Sequence, residues 1–156
     1  MTQNDTGFGG HWPTASNFLL EVDGVVIGTF AEVSGLEVHV EVATYAEGGE
    51  NGYVHQLPGR MTWPNLILRR GITHSDALFD WVNKSAGPGF ARNGNKLQRS
   101  TAAVTLVGSA GERLRAWNFD GAFAVRWSGP RLAADGEELA AEELELAHHG
   151  FRSKTF

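Results

Sequence analysis

The side chains that could do chemistry in this 156-residue chain are six histidines, scattered hydroxyls and an acidic run near the C-terminus. The histidines are His11, His39, His55, His74, His148 and His149. A zinc hydrolase helix would carry His-Glu-x-x-His, and this pattern does not occur in the sequence. His148 and His149 are adjacent, so on a strand they would point to opposite faces. We therefore predict no metal site and expect the histidines to be exposed or to lie at an interface.

Nucleophilic catalysis has equally little support. The sequence contains no cysteine and no Gly-x-Ser-x-Gly elbow, and nothing near Ser34 suggests a base. Five acidic residues could supply a carboxylate pair, namely Glu137, Glu138, Glu142, Glu143 and Glu145. A run of charges is more often a solvated or intersubunit face. We predict that the protein is not an enzyme and that it has no catalytic or cofactor-binding residue.

Two further features could suggest nucleotide or nucleic-acid binding. The glycine-rich stretch at residues 47–52 lacks the Gly-Lys-Ser/Thr end of a phosphate-binding loop, and its glutamates would repel phosphate. The tryptophans are Trp12, Trp63, Trp81, Trp117 and Trp127. Without interleaved basic residues they indicate core packing, with Trp81 in the sheet core and Trp63 or Trp127 at a subunit boundary. A net charge of −5 also argues against specific nucleic-acid binding.

The composition predicts a single domain. Hydrophobic residues make up 42% of the chain, which is enough for a real core. Residues 1–11 are polar and carry no secretory signal, and no apolar stretch approaches the ~20 residues that span a bilayer. We expect a flexible N-terminal segment at residues 1–16, a domain at residues 17–156 and no stable membrane anchor, and the absence of cysteine fits folding in a reducing cytoplasm.

Twenty glycines divide the chain into short segments, as is typical of a mainly β domain. Residues 18–22 and 25–30 are predicted strands joined by an Asp23-Gly24 turn. The next segment alternates almost perfectly between apolar and polar residues. We expect a strand here with one buried face, formed by Leu36, Val38, Val40 and Val42. The wet face would then carry Glu37, His39 and Glu41.

The middle of the chain predicts a long loop, a strand and a helix. The loop covers residues 46–60, and the strand covers residues 61–68 with Pro64 inside it, which implies an edge or a bulge. Thr73 or Ser75 could cap a helix at roughly 74–84, the only helix expected before residue 130. A polar loop would follow at residues 85–99.

The C-terminal half predicts three strands and one ambiguous segment. Residues 102–107 and 114–119 look like a hairpin, and residues 122–127 form another strand. At residues 137–148 helix propensity favours a helix. Residues 143–148 nevertheless alternate between polar and apolar, which favours a strand at 142–149.

Four short patterns follow one another in a specific order: Val33-Ser34-Gly35-Leu36, Tyr45-Ala46-Glu47-Gly48-Gly49, Leu57-Pro58-Gly59 and Trp63-Pro64-Asn65-Leu66-Ile67-Leu68-Arg69-Arg70-Gly71. Ser128-Gly129-Pro130, Leu132 and the ending at residues 142–151 extend the series. Together they resemble the tail-tube (inner tube) protein family of contractile phages and extracellular contractile injection systems, over roughly residues 17–151. His149 departs from the usual ending, in which an acid precedes the glycine.

The resemblance implies a β-sandwich or partly closed antiparallel barrel with one helix at its side, and it supports a strand at 142–149. Six subunits would form a hexameric ring with a continuous β-barrel lumen. The rings would stack into a tube that contacts a sheath protein and baseplate hub or initiator proteins, with possible cargo in the lumen. No cofactor is implied.

The predicted ring and stacking interface is a set of loop and turn residues: Glu47, Gly48, Gly49, Glu50, Asn51, Gly52, Leu57, Pro58, Gly59, Trp63, Pro64 and Asn65. Glu37, His39 and Glu41 are predicted to face either the lumen or the sheath, since a period of two allows both. Two alternatives remain at this point. One is a tube-initiator paralogue joining the baseplate hub to the tube, and the other is a β-barrel that binds a small ligand in an apolar interior pocket.

Overall fold

The computed structural model describes residues 17–132, 134 and 140–156, so the predicted flexible segment at residues 1–16 lies outside the described residues. The described part is mainly antiparallel β-structure. Its strands are β1 (Asn17–Val22), β2 (Val25–Phe30), β3 (Glu32–Ser34), β4 (His39–Tyr45), β5 (His55–Thr62), β6 (Leu66–Gly71), β7 (Ser100–Val107), β8 (Arg113–Ser128), β9 (Ala141–Ala147) and β10 (Phe151–Thr155). Its helices are α1 (Ala77–Ser85) and α2 (Gly87–Arg92).

The main sheet closes on itself. Its strands follow the order β2-β1-β7-β8-β9-β6-β3. The two ends of this order, β2 and β3, are successive segments of one extended chain joined at Ala31, whose N–H donates to the carbonyl of Arg69 at 2.9 Å. The strand that pairs with β1 therefore continues into the strand that pairs with β6. This confirms the predicted partly closed antiparallel barrel.

The first hairpin forms as predicted. Asp23 and Gly24 have φ angles of 50° and 80°, the positive values that a type I′ turn requires at both central positions. Asp23 also fastens the turn to the neighbouring strand, since its Oδ1 accepts a hydrogen bond from the N–H of Thr101 at 2.9 Å.

Strand β8 forms the centre of the barrel. At Phe119 it pairs with β7 on one side and with β10 on the other. Farther along, β9 takes the place of β10, so β9 and β10 together follow β8 from end to end. Gly121 and Gly150, with φ angles of 61° and 120°, interrupt the extended backbone at facing positions of this pair. The predicted hairpin at 102–107 and 114–119 is confirmed, whereas residues 122–127 belong to the same strand as residues 114–119.

Large apolar side chains fill the inside of the barrel. The fully buried ones are Leu20, Phe30, Leu66, Leu68, Leu78, Val104, Phe119, Leu144 and Leu146. Trp81 on α1 joins this core with 6% of its surface exposed, which confirms its predicted place. An interior packed in this way does not favour the ligand-binding barrel.

The prediction of a single helix is wrong. Residues 87–92 form the second helix, α2, where we expected a polar loop. Ala86 is extended, with φ −148° and ψ 169°, which ends α1, and Pro88 stands in the first turn of α2, where its missing N–H costs nothing. Helix α1 begins at Ala77 rather than 74, and the Ser75 hydroxyl accepts a hydrogen bond from the N–H of Ala77 at 3.4 Å.

Three boundaries in the middle of the chain also differ from the prediction. The expected strand at 36–42 is β4, which begins at His39. The expected loop at 46–60 ends at residue 54, because β5 already begins at His55 and includes Pro58 and Gly59. The expected strand at 61–68 is interrupted at residues 63–65, so Pro64 lies between two strands instead of inside one.

The ambiguous C-terminal segment is a strand from Ala141 to Ala147, so alternation prevailed over helix propensity. Leu144 and Leu146 are buried in the barrel, and this burial outweighs the few tenths of a kcal/mol per residue that propensity contributes.

Candidate functional site

The β4–β5 hairpin stands apart from the barrel and is the candidate site. Within residues 17–132, 134 and 140–156 the two strands pair only with each other, from His39 opposite Thr62 to Tyr45 opposite His55. A two-stranded sheet alone is marginally stable in water, and it exposes unpaired backbone groups on both outer edges. Packing against another chain would stabilise such a hairpin and pair its free edges.

One face of this hairpin is apolar and exposed. Val38, Val40, Val42 and Met61 leave 46%, 45%, 58% and 53% of their surface in water. Val40 lies opposite Met61, and Val42 lies opposite Pro58, so these side chains share a face. The prediction that this face is buried is wrong for Val38, Val40 and Val42 within the single chain, because the hairpin leaves the barrel where a packed strand would continue. Leu36, before the hairpin, is half-buried and packs against the core.

The opposite face is polar. Glu37, His39 and Glu41 are all exposed, and His39 Nε2 lies 3.2 Å from a carboxylate oxygen of Glu37. The predicted alternation of the two faces is therefore present, and the direction that this polar face takes in an assembly stays a prediction.

The tip of the hairpin is the loop at residues 46–54, which contains half of the predicted interface. Glu47, Gly48, Gly49, Glu50, Asn51 and Gly52 are all exposed. Two contacts shape the loop: the N–H of Gly52 donates to Glu50 Oε1 at 2.7 Å, and His55 Nε2 lies 2.9 Å from Glu47 Oε2. The loop thus presents carboxylates and bare backbone at the end of the hairpin.

Leu57, Pro58 and Gly59 lie in β5 and are exposed. At Gly59 a bulge brings the two strands together, since an added Cβ would lie 3.1 Å from the carbonyl oxygen of Glu41. Bulges of this kind twist a ribbon and break its pairing edge. The predicted turn residues are therefore part of the hairpin's body.

The remaining predicted interface residues form the root of the hairpin and pack on their own chain. Trp63, Pro64 and Asn65 are half-buried. The indole of Trp63 meets Phe151 edge-on at 5.1 Å between ring centroids, and Asn65 Nδ2 donates to Glu145 Oε1 at 2.8 Å. These three residues fix how the hairpin leaves the barrel, and their part in an interface between subunits stays a prediction.

His148 also holds the root in place, through a hydrogen bond to Pro64. It is buried, with 8% of its surface exposed, so the expectation of exposed histidines is wrong here, while its neighbour His149 is exposed. The N–H of Gly150 donates to His148 Nδ1 at 3.0 Å, which leaves Nε2–H to donate to the carbonyl of Pro64 at 3.1 Å. Burial lowers the pKa of His148, although the hydrogen bond to the Pro64 carbonyl acts in the opposite direction.

The backbone of Gly35 packs closely against the backbone of Asn65 in the root. Gly35 has a φ of 86°, and a Cβ built on it would lie 2.2 Å from the carbonyl oxygen of Asn65. Gly111, in the β7–β8 turn, has a φ of 82° with nothing within 4 Å of its added Cβ, so it is a matched control. We expect Gly111→Ala to cost about 1 kcal/mol of unfolding free energy, from its φ alone.

Gly35→Ala is expected to cost about 3 kcal/mol or more, because backbone must also move. Urea unfolding of both variants measures the difference. Equal losses would mean that the contact between Gly35 and Asn65 is not a constraint.

A buried ion pair inside the barrel was missed by the sequence interpretation. Arg70, 5% exposed, donates to Glu142, and Trp127 Nε1 donates to the second oxygen of Glu142 at 3.0 Å. The guanidinium also lies over the ring of Phe30, 5.1 Å from its centroid. The sequence does contain two adjacent arginines in β6 and two adjacent glutamates in β9, which could have indicated ion pairs. Only the register of the two strands shows that Arg70 and Glu142 are the pair that points into the barrel.

The acidic run that could have served catalysis is neutralised by arginines. Glu143 binds Arg126 and Arg69, and Glu145 Oε2 accepts from Arg126 Nε at 3.1 Å. The hydrogen bonds from Asn65 and then Arg126 lower the pKa of Glu145. Glu137 and Glu138 lie outside the described residues.

No group of three metal-ligating side chains occurs in the described ranges. Across the same residues, no helix is long and apolar enough to cross a membrane.

Comparisons with known proteins agree with this geometry. The family described as T4-like virus tail tube protein gp19 matches residues 14–152. A chain of the PVC sheath–tube complex, from an extracellular contractile injection system in the extended state, has 24% sequence identity and a TM-score of 0.77, with 100% of this chain and 99% of that chain covered. A search of curated proteins finds no match.

Two further solved structures contain similar chains. One is the PVC sheath/tube terminator in the extended state, with 26% identity, a TM-score of 0.74, and 94% of this chain and 99% of that chain covered. The other is the 6-fold symmetrised baseplate of the anti-feeding prophage, with 22% identity, a TM-score of 0.71, and 93% and 97% covered.

Proposed function

This chain belongs to the T4-like virus tail tube protein family, and we infer that it is the repeating subunit of an inner tube in a contractile injection system or phage tail. Its role is structural and requires no catalytic group. Six copies form a ring around a lumen, and the rings stack into a conduit that is driven into a target when a surrounding sheath contracts. The 6-fold symmetrised baseplate that contains a similar chain supports the ring size.

The exposed apolar face of the β4–β5 hairpin is the observation that carries this proposal. Four apolar side chains remain in water, on a ribbon whose two edges have no strand partner in the part of the chain that the structure describes. Packing this face against a second copy removes the apolar surface from water and pairs the edges. Pairing around a closed ring ends growth within the ring, whereas head-to-tail stacking of rings continues as a filament.

The polar face then takes one of two environments. With the apolar face against a neighbouring subunit, Glu37, His39 and Glu41 face either the lumen or the sheath. We propose that residues 17–156 act as one tube domain and that the protein is assembled in the bacterial cytoplasm into a phage tail-like particle. Its partners are copies of itself, the sheath protein and the baseplate hub, with possible cargo in the lumen.

A tube initiator is the second candidate. The chain is similar both to a chain of a sheath–tube complex and to a chain of a baseplate, so the fold is compatible with either position. The number of copies in each particle separates the two. A repeating tube subunit is present in many rings, whereas an initiator is present in one.

The tip loop provides a direct test of stacking. We expect deletion of residues 48–52 to leave a folded chain that still forms rings but no tubes, because the exposed tip carries no core residue and, in the proposed stacking, contacts the next ring. Electron microscopy measures the result. Deletion of Ser109 and Ala110, two exposed residues of the β7–β8 turn, is the control and should leave tubes intact. Tubes of normal length from the 48–52 deletion would exclude the tip from stacking.

A further inference from the structure

Two titratable residues of the β9 region hold two successive residues of the hairpin root. His148 Nε2–H donates to the carbonyl of Pro64 at 3.1 Å, and Glu145 Oε1 accepts from the side-chain amide of Asn65 at 2.8 Å. We call these two contacts the root clamp. Asn65 is followed directly by β6, and Pro64 is preceded by Trp63 and the end of β5, so the clamp sits where the hairpin joins the barrel.

Each of these two side chains can make all of its hydrogen bonds in one protonation state only. His148 must be neutral, because its Nδ1 accepts from the N–H of Gly150 at 3.0 Å while its Nε2–H donates to Pro64. A proton on Nδ1 would set two donors against each other, so the imidazole could not keep both backbone contacts in place. Glu145 must be ionised, because its two oxygens accept separate hydrogen bonds from Asn65 and Arg126, and a proton would leave one acceptor for two donors.

We propose that the root clamp is an acid-sensitive hinge, which fixes the direction of the β4–β5 hairpin near neutral pH and releases it when His148 gains a proton and then Glu145 does. Release is not expected to unfold the barrel, since the core leucines of β6 and β9 point to the opposite face from Asn65 and Glu145. The consequence for stacking rests on the proposed function, because a hairpin without a fixed direction cannot present its apolar face to a neighbour. The hinge itself is a property of the single chain.

The charges around the root clamp agree with this. His148 packs between Phe119 of β8, Trp63 of the root and Phe151 of β10, none of which carries a charge. Its titratable neighbour in sequence is His149, and a positive charge on His149 disfavours protonation of His148. Asp120 of β8 is engaged in an exposed pair with Arg152 of β10.

Glu145 faces Asn65 from the root and Arg126 from β8, with Arg69 and Glu143 next to them on the same surface.

The pH window follows from the directions of the two pKa shifts. Burial lowers the pKa of His148 below its unfolded value of about 6.5, so the clamp's contribution is complete above that pH and is lost as the pH falls through the folded pKa. The pKa of Glu145 is also lowered, by Asn65 and Arg126, so its contribution disappears only at still lower pH. Protonation of His148 and protonation of Glu145 both weaken the root clamp as the pH falls, so acid releases the hinge in two steps.

Pulsed electron paramagnetic resonance on the single chain tests the hinge. The sequence contains no cysteine, so Asn51→Cys at the hairpin tip and Ser109→Cys in the β7–β8 turn give one unique pair of spin labels. We expect a narrow distance distribution at about pH 7.5 that becomes at least ~2-fold broader as the pH is lowered stepwise below the unfolded pKa of about 6.5, and that narrows again on neutralisation. A second pair, Thr73→Cys with Ser109→Cys, should stay narrow throughout, which separates hinge release from unfolding.

His148→Gln is the matched variant. Its amide can still donate to the carbonyl of Pro64 but does not titrate, so we expect the distribution to stay narrow until Glu145 gains its proton. Glu145→Gln should instead leave the first step in place and remove the second. Equal broadening in wild type and His148→Gln, or no broadening in wild type, would overturn the proposal. So would simultaneous broadening of the body pair. Tube formation is not needed for any of these readouts, so a failure here is distinct from a failure of the tube assignment.

Discussion

Val40→Asp is expected to abolish ring and tube formation while leaving the single chain folded. Val40 lies in the middle of the exposed apolar face, opposite Met61, and 45% of its surface is already in water. The new carboxylate therefore costs little in the monomer. In the assembly the same carboxylate is buried without a partner, at a cost of about 3 kcal/mol or more for each contact. Association should weaken by at least ~100-fold.

Ala43→Asp is the matched control for this experiment. Ala43 lies three residues along the same strand, opposite Leu57, and its side chain belongs to the polar face. It introduces the same charge into the same strand, and we expect it to assemble normally. Analytical ultracentrifugation measures association, and circular dichroism verifies the fold of each monomer. Equal assembly of both variants would mean that the apolar face is not an interface.

Glu142→Gln is expected to destabilise the barrel strongly. The substitution leaves Arg70 buried without a counter-charge, while the new amide oxygen can still accept from Trp127 Nε1. Breaking a buried pair from one side costs about 3–5 kcal/mol. For a domain of this size, that corresponds to a fall in Tm of roughly 10 °C. Thermal unfolding followed by circular dichroism gives the value.

Two controls define what this loss means. Glu21→Gln removes the partner of Arg113 at the surface, where screening by water leaves little to lose, so only a small change is expected. The double variant Arg70→Met with Glu142→Leu removes both charges and should recover most of the stability. A Tm for Glu142→Gln within a degree or two of wild type would contradict the view that Arg70 depends on Glu142 as its buried counter-charge.

Local patterns in the sequence predicted most of the barrel. Asp23-Gly24 favours the two-residue turn with positive φ angles that joins hairpin strands. The alternation at 143–148 places Leu144 and Leu146 on one face of a strand, and that face can pack into the core. Both predictions hold because tertiary packing and local preference agree. Helix α2 was missed because two glycines and a proline indicate a loop by composition, while Pro88 is well placed in a first turn.

The candidate site was harder to predict for a physical reason. Alternation identifies which residues share a face but not whether that face is covered by the same chain. Val38, Val40 and Val42 have the pattern of a core strand, yet they are exposed on the part of the chain that the structure describes, and we propose that a second copy covers them. The root clamp was invisible for a different reason: His148 and Pro64 are far apart in sequence, and only the barrel brings them together.

Electron microscopy of the purified chain at high concentration, beside the Val40→Asp variant, tests the central claim most directly. The account predicts sixfold rings or hollow tubes for the wild-type chain and monomers for the variant. Rings need no initiator, because closure satisfies every subunit within one layer. A wild-type chain that stays monomeric at millimolar concentration, with the hairpin as exposed as in the variant, would contradict the tube-subunit assignment.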